Sequence, residues 1–247
     1  MRKFLAFALA AWLGLGASSA FAAIGSCTDM GHNQSTAVTS PMTMTTTAAI
    51  NSGDTVCVLH YGAAAANTGS SASDGTNTYT QIILDNGATP LAEVWCVTNA
   101  QAVATSATMT FTFSGASGNR HALDMFKVTG ISTASPDFFD KRASTQGTNT
   151  TLTANLAQLA VPNELIVGAY FSASTPTTVT WSPVMTAVGG NTATAFALPS
   201  CLVVSSAVAA SYQASWTGSN NTRIEVFGLK GASQTSVGTG GMLGVFP

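Results

Sequence analysis

The chain has three imidazoles, His32, His60 and His121, and any acid–base or nucleophilic chemistry at neutral pH would draw on them first. A serine nucleophile needs a base within hydrogen-bond reach, and no GxSxG elbow accompanies the many serines. His60 sits in "VCVLHYG", an apolar run of strand length, and reads as a satisfied core or sheet-face histidine. His121 follows Arg120 at a strand start and reads as a solvated strand-end group, and His32 in "DMGHNQ" reads as loop. Without HxH or HExxH spacing, zinc has no ligand set here.

Carboxylates are the next candidates. A glycosidase needs two of them held about 5–9.5 Å apart. Asp137 and Asp140 in "PDFFDK" are neighbours in sequence, but Lys141 and Arg142 make Asp140 a loop ion pair. Asp124 and Glu225 occupy matching positions in two related segments, which points to one structural need met twice. Calcium takes six to eight oxygens, and "SDGTNT" around Asp74 and "LDNG" around Asp85 are the candidate loops, though both are also ordinary turn sequences. For glycan binding the candidate platform is Trp181 in "TTVTWSP" and Trp216 in "YQASWTG", whose Thr/Ser-rich strands could leave them exposed, although a large ring in such a strand is more often core. Altogether the residues predict a non-enzymatic protein with no obligate cofactor.

The start of the chain reads as a secretion signal. Arg2 and Lys3 precede the apolar run "FLAFALAAWLGLGA", and "SSAFAA" offers small residues for cleavage after Ala22. The run is shorter than the ~20 residues of a membrane span, so the mature chain is expected to lack one. Secreted, periplasmic or cell-surface localisation follows. Beyond the signal, six basic residues face ten acidic ones, a net charge near −4. That leaves no basic patch for nucleic acid or for anionic lipid. A protein or glycan surface is the expected partner, and the oligomeric state stays open. Four cysteines, Cys27, Cys57, Cys96 and Cys201, survive cleavage; an even number in an oxidising compartment predicts two disulfides, with three pairings open.

These groups must be positioned by strands. Thr, Ser, Asn and Gly carry the solubility, and no amphipathic helix is evident. "TVCVLHYG" reads as a central strand, "TNTYTQIIL" and "LAEVWCV" as a hairpin around Asn86-Gly87, and "ATMTFTFSG" as a half-buried strand. The plan then recurs. "RHALDMFKVTG" (residues 120–130) matches "NTRIEVFGLKG" (residues 221–231), and Asp54, Val56, Cys57 and Tyr61 match Glu164, Ile166, Val167 and Phe171. "TTVTWSP" stands for "NTYTQII", and "TATAFAL" for "LAEVWCV". We therefore expect an all-β fold: a two-sheet antiparallel β-sandwich, jelly-roll-like, built from two pseudo-symmetric halves (about 41–131 and 150–231). Each half should carry about five strands, with one shared core about 10 Å thick. The whole domain should span 23–231, and Phe138 and Phe139 should hold the connector against it. Residues 232–247 form a flexible Gly/Ser/Thr tail with an apolar end, "MLGVFP".

The order "INSGDTVCVLHYG", "DGTNTYTQ", "LAEVWCV", "TMTFTFSG…RHALDMFKVTGIS", "PNELIVGAYFS", "RIEVFGLKG" resembles exported bacterial jelly-roll-like β-sandwich domains, similar modules of which occur in phage structural proteins. The resemblance covers most of Ala23 to Gly231. It implies the fold more than any activity and carries no catalytic residue; the residues themselves lead us to expect a structural or surface-interaction module, with carbohydrate binding through surface aromatics as the alternative. Such domains commonly lack cysteines at these positions, so the disulfides rest on this sequence alone.

Overall fold

The computed structural model describes residues 23–37, 39–114, 119–133, 137–173, 178–189, 196–218 and 221–233. The expected signal segment and all but the first two residues of the tail lie outside these. Among the described residues there are sixteen strands and no helix. Eight belong to the first half: β1 (Thr28–Ser35), β2 (Met42–Thr45), β3 (Thr55–Gly62), β4 (Gly69–Ser73), β5 (Thr80–Asp85), β6 (Leu91–Val97), β7 (Thr108–Phe113) and β8 (His121–Val128). Eight belong to the second: β9 (Phe139–Gly147), β10 (Thr151–Leu156), β11 (Glu164–Ser172), β12 (Val179–Ser182), β13 (Thr186–Ala187), β14 (Phe196–Val204), β15 (Ala210–Trp216) and β16 (Thr222–Lys230).

The two halves share one wiring. The first forms a five-stranded sheet, β1-β8-β3-β6-β5, and a three-stranded sheet, β2-β7-β4. Adding eight to each strand number gives the sheets of the second half, β9-β16-β11-β14-β13 and β10-β15-β12. All pairings are antiparallel and the sheets are open. The fold is the expected all-β, jelly-roll-like sandwich of pseudo-symmetric halves, with a richer layering than one sheet per half.

Alternation along the strands shows how the layers stack. In β3, Cys57, Leu59 and Tyr61 face the second half, and Val56 and Val58 face the three-stranded sheet of their own half. In β11, Leu165, Val167, Ala169 and Phe171 face the first half, and Ile166 and Tyr170 turn outward. Three apolar layers result. The largest joins the two five-stranded sheets, and each half adds a second core beneath its three-stranded sheet. The single core expected from the sequence is the central one. Of β8, Phe126 and Val128 face the centre while Leu123 and Met125 face outward, as the repeated phrase predicted.

Register corrects two matches between the halves. Val56 pairs with Val97, and its counterpart Ile166 pairs with Leu202, so β6 corresponds to "FALPSCL" (196–202), four residues further on than "TATAFAL". By position in the sheets, "TTVTWS" answers to β4 and not to "NTYTQII". The segment "AAIGSC", whose apolar start reads in sequence as a first strand, precedes β1, which begins at Thr28. The connector holds β9, paired along β16, and Phe138 is buried against the central core as expected. Gly130 leaves its strand at φ +79°, where a Cβ would stand 2.4 Å from Ala23 O. Its counterpart Gly231 serves only close approach, since a Cβ there would lie 2.6 Å from Asn163 O.

The structure resolves the cysteine pairing. Cys57 bonds Cys96, its direct cross-strand neighbour, and Cys27 bonds Cys201, tying the amino-terminal arm to the second half. By register Cys201 is the counterpart of Cys96, so equivalent positions serve different bridges. Both disulfides are compatible with an extracellular or periplasmic location. No helix of the described residues is long and apolar enough to cross a membrane.

The Cys27–Cys201 bridge closes a separation of 174 residues and crosses between the halves. Replacing both cysteines by serine should lower stability by about 2–4 kcal/mol, measured as the shift in a urea unfolding curve. An unchanged curve would mean that sheet packing alone holds the arm.

Candidate functional site

The densest cluster of chemically capable side chains lies inside the first half. β3 and β6 place His60 directly opposite Glu93, and β8 brings His121 two residues along from the position opposite His60. All three side chains point to the outer core of this half, and all are fully buried. His60 Nδ1 lies 2.7 Å from Glu93 Oε2, and His60 Nε2 lies 2.9 Å from His121 Nδ1. His121 Nε2 is 3.1 Å from Asn67 Nδ2. An amide nitrogen only donates, so the chain has a direction. Asn67 donates to His121, His121 Nδ1–H to His60, and His60 Nδ1–H to the carboxylate. Glu93 is completed by Gly69 N–H, 2.9 and 2.8 Å from its two oxygens, and by Gln81 Nε2–H at 2.9 Å.

Aromatic rings seal the cluster. Phe111 lies 4.5 Å from the His60 ring and Phe113 lies 4.1 Å from the His121 ring, centroid to centroid. The backbone at Gly69 fits only because it has no side chain: a Cβ would meet Phe111 Cζ at 2.5 Å and Glu93 Oε2 at 2.9 Å. Burial first, and then the neighbouring His60, push the His121 imidazole down to about 3, so it is neutral at physiological pH. A Glu–His pair of this kind orients a base in many hydrolases. Here the outer imidazole ends on Asn67 instead of a nucleophile. Three surface clefts, of about 290, 180 and 120 Å³, are lined by other residues.

The second half shows that the fold does not require this cluster. By register, His60, Glu93 and His121 correspond to Tyr170, Leu198 and Thr222. Tyr170 packs edge-on against Trp216 at 5.0 Å, and an apolar core fills the volume. Sequence reasoning placed His60 correctly as a satisfied sheet histidine. It missed Glu93, Asn67 and the burial of His121, which is no solvated strand end. The signal for Glu93 was a lone acid in the apolar run "LAEVWCV".

The other candidates fall into structural roles. Trp181 and Trp216 offer no glycan platform. Both are buried, 7% and 6% exposed, because strand alternation turns them inward beneath β10-β15-β12. Asp74 does not face a cation: its carboxylate accepts from Thr76 N–H, Asn77 N–H, Asn77 Nδ2 and Tyr79 Oη–H at 2.6–3.0 Å, the signature of a side-chain-stapled turn. Asp85 pairs with Arg223 at 2.6 Å and accepts from Ser144 Oγ–H at 2.9 Å, across the junction between halves. Burial alone would raise Asp85, but Ser144 and Arg223 bring it below the usual carboxylate range. Among the described residues no group of three or more His, Cys, Asp or Glu could hold a metal ion. Asp140 stands on β9 and not in a loop, 4.0 Å from Lys141 and from Lys230, while Arg142 reaches Asp85.

Asp124 and Glu225 are both buried at the junction. A Cβ at Gly189 of the second half would lie 3.0 Å from Asp124 Oδ1. Burial and the nearby Asp29 raise Asp124 well above the usual range. Burial, then Asp85, push Glu225 up to about 8 against the opposing pull of Ser144 and Arg142, and burial with Asp140 pushes Glu164 up to about 7. These raised acids stabilise the fold below about pH 4.5, and that contribution is lost as pH rises through 7–8. His121 acts oppositely: its contribution is present above pH 6.5 and is lost as pH falls towards 3. Three acids outweigh one imidazole above pH 4.5, so stability should peak at about pH 4–5. Urea midpoints across pH 4–8 test this, and Glu225→Gln should flatten the alkaline limb. Glu93→Ala, which strands His60 and Gly69 N–H in the core, should cost about 3 kcal/mol or more by the same measurement.

The chain matches no family model, no curated protein and no solved structure.

Proposed function

We infer that this is an exported, non-enzymatic structural or surface-interaction protein, carried past the membrane by the segment that ends at Ala22. One observation carries the reading: the imidazoles and carboxylates best suited to chemistry are spent on joining strands. Glu93, His60 and His121 close on one another behind Phe111 and Phe113, and Asp74 and Asp85 are bound by protein donors. The faces turned to water are of another kind. Thr43, Thr45 and Ser71 stand on the outer side of β2-β7-β4, and Thr153, Asn155, Gln213 and Thr180 on that of β10-β15-β12. Such uncharged hydroxyl and amide faces suit broad, shallow contacts. The carbohydrate-binding alternative has lost its tryptophan platform and keeps only these polar faces.

Incubating the mature protein with ester, glycoside and polysaccharide substrate panels, alongside glycan and protein arrays, tests the reading. Binding without product formation is expected. Turnover that disappears in Glu93→Gln or His121→Gln, with the fold intact by circular dichroism, would refute it.

A further inference from the structure

The end of β16 gathers a lysine and two acids. Sheet pairing sets Lys230 directly opposite Glu164 of β11, and on its other side β16 runs along the edge strand β9. There β9 carries a bulge: Phe139 opposes Leu229 and Arg142 opposes Phe227, so Asp140 and Lys141 together face Gly228. A bulge re-aims a side chain, and that of Asp140 is only 3% exposed. Asp140 Oδ1 lies 4.0 Å from Lys230 Nζ, and Oδ2 accepts from Ala160 N–H at 2.6 Å.

Glu164 is fully buried, and its Oε2 meets no N–H or O–H donor among the described residues. It lies over Gly228, where a Cβ would stand 2.6 Å from Oε2 and 3.2 Å from Leu159 Cδ2. The group beside it is a second carboxyl, Asp140, and two buried carboxyls can bond only by sharing a proton. Burial first, and then Asp140, push Glu164 up to about 7, so near neutrality it both holds and releases that proton. The first half supplies the contrast. Asp54 corresponds to Glu164, and Lys127 to Gly228. Lys127 Nζ is 3.1 Å from Asp54 Oδ2, an ordinary ion pair, and Asn51 N–H completes the carboxylate. The second half has glycine in place of that lysine, brings its cation from the end of the strand and adds an acid from β9.

We propose that Lys230 and Asp140 condense to an intramolecular amide, with Glu164 as the proton carrier. Lys230 Nζ bonds to Cγ of Asp140, and the Cγ–Oδ1 bond breaks. Two of the three ammonium protons pass through Glu164 to Oδ1, which leaves as water, and Glu164 ends as it began. Ala160 N–H stays on Oδ2, the oxygen that becomes the amide carbonyl, and steadies its charge during attack. The step consumes no oxidant and no cofactor. Free amines and acids do not condense in water, but groups held as neighbours reach effective molarities of about 10⁵–10⁸ M. Lys141 is equally near Asp140 Oδ1, but it is 44% exposed and water keeps its ammonium solvated. The bond ties β9 to β16 covalently, and because it needs no oxidising compartment its test is independent of export.

Intact-mass spectrometry of the purified protein, reduced and denatured, tests this. The chain should be lighter than its sequence by one water, and Lys230→Arg and Glu164→Gln should restore the full mass. After trypsin, a branched peptide should join Lys230 to Asp140, while Lys127 and Asp54 remain unmodified. Full mass with an unbranched Lys230 peptide from the folded wild-type protein would overturn the proposal, whatever the variants do. So would a lost water that maps to Lys141 or to ring closure at Asp74-Gly75. A branched peptide that persists in Glu164→Gln, with the fold intact by circular dichroism, would also overturn it, because the proton would then need another carrier.

Discussion

Everything in this molecule depends on two five-stranded sheets removing each other's inner faces from water. Leu59, Tyr61, Phe126 and Val128 on one side meet Val167, Phe171, Phe227 and Leu229 on the other, and all are essentially without solvent contact. Each half has a second core of its own, yet its large sheet would present an uncovered apolar face if it stood alone. At about 25 cal/mol per Å² that exposure is far more expensive than any single polar contact at the junction. The junction is then fixed laterally by polar contacts: Arg223 and Ser144 to Asp85, and Arg120 to Ala173 O. Hydrophobic burial sets the distance between the sheets, and these directional bonds set their rotation.

The halves share topology strand for strand, but they solved their interiors differently. Where the first half keeps a Glu–His–His–Asn chain, the second places Tyr170 against Trp216 and an aliphatic side chain at Leu198. A buried, fully partnered polar chain adds little net stability over a well-packed apolar one, but it tolerates no misplacement of its members. It therefore fixes β3, β6, β8 and the Asn67–Gly69 turn in one mutual arrangement. The apolar version packs with more freedom.

What could be read from sequence followed the physics of each strand. β3, β8, β11 and β16 are buried on both faces and appear as near-continuous apolar runs, so they were legible, as was the repeat they carry. The strands that escaped are edge or near-edge elements. "GSSAS" of β4, "FDKRASTQG" of β9 and the two residues of β13 show no strong alternation because one side of each meets water. That is why each half looked like five strands and proved to be eight. Trp181 and Trp216 stood as a candidate platform through the polarity of their neighbours, but the commoner core reading holds. The two-residue period places Trp216 on the same side as Tyr212 and Ala214, and that side is buried. The histidine chain was beyond sequence reading altogether, since His60 and His121 lie 61 positions apart and only sheet register unites them.

Cys57 and Cys96 belong to one half and stand opposite each other on adjacent strands, whereas Cys27 and its partner belong to different halves. A chain emerging from its amino terminus can therefore close the first bridge as soon as a single hairpin-like pairing has formed. Cys27 must meanwhile wait as a lone thiol until Cys201 arrives. During that interval the strand register of β3 and β6 hides the two wrong partners from it. Once β3 and β6 are paired, Cys27 and Cys201 are the two thiols left to each other, so native strand pairing leaves one second bridge.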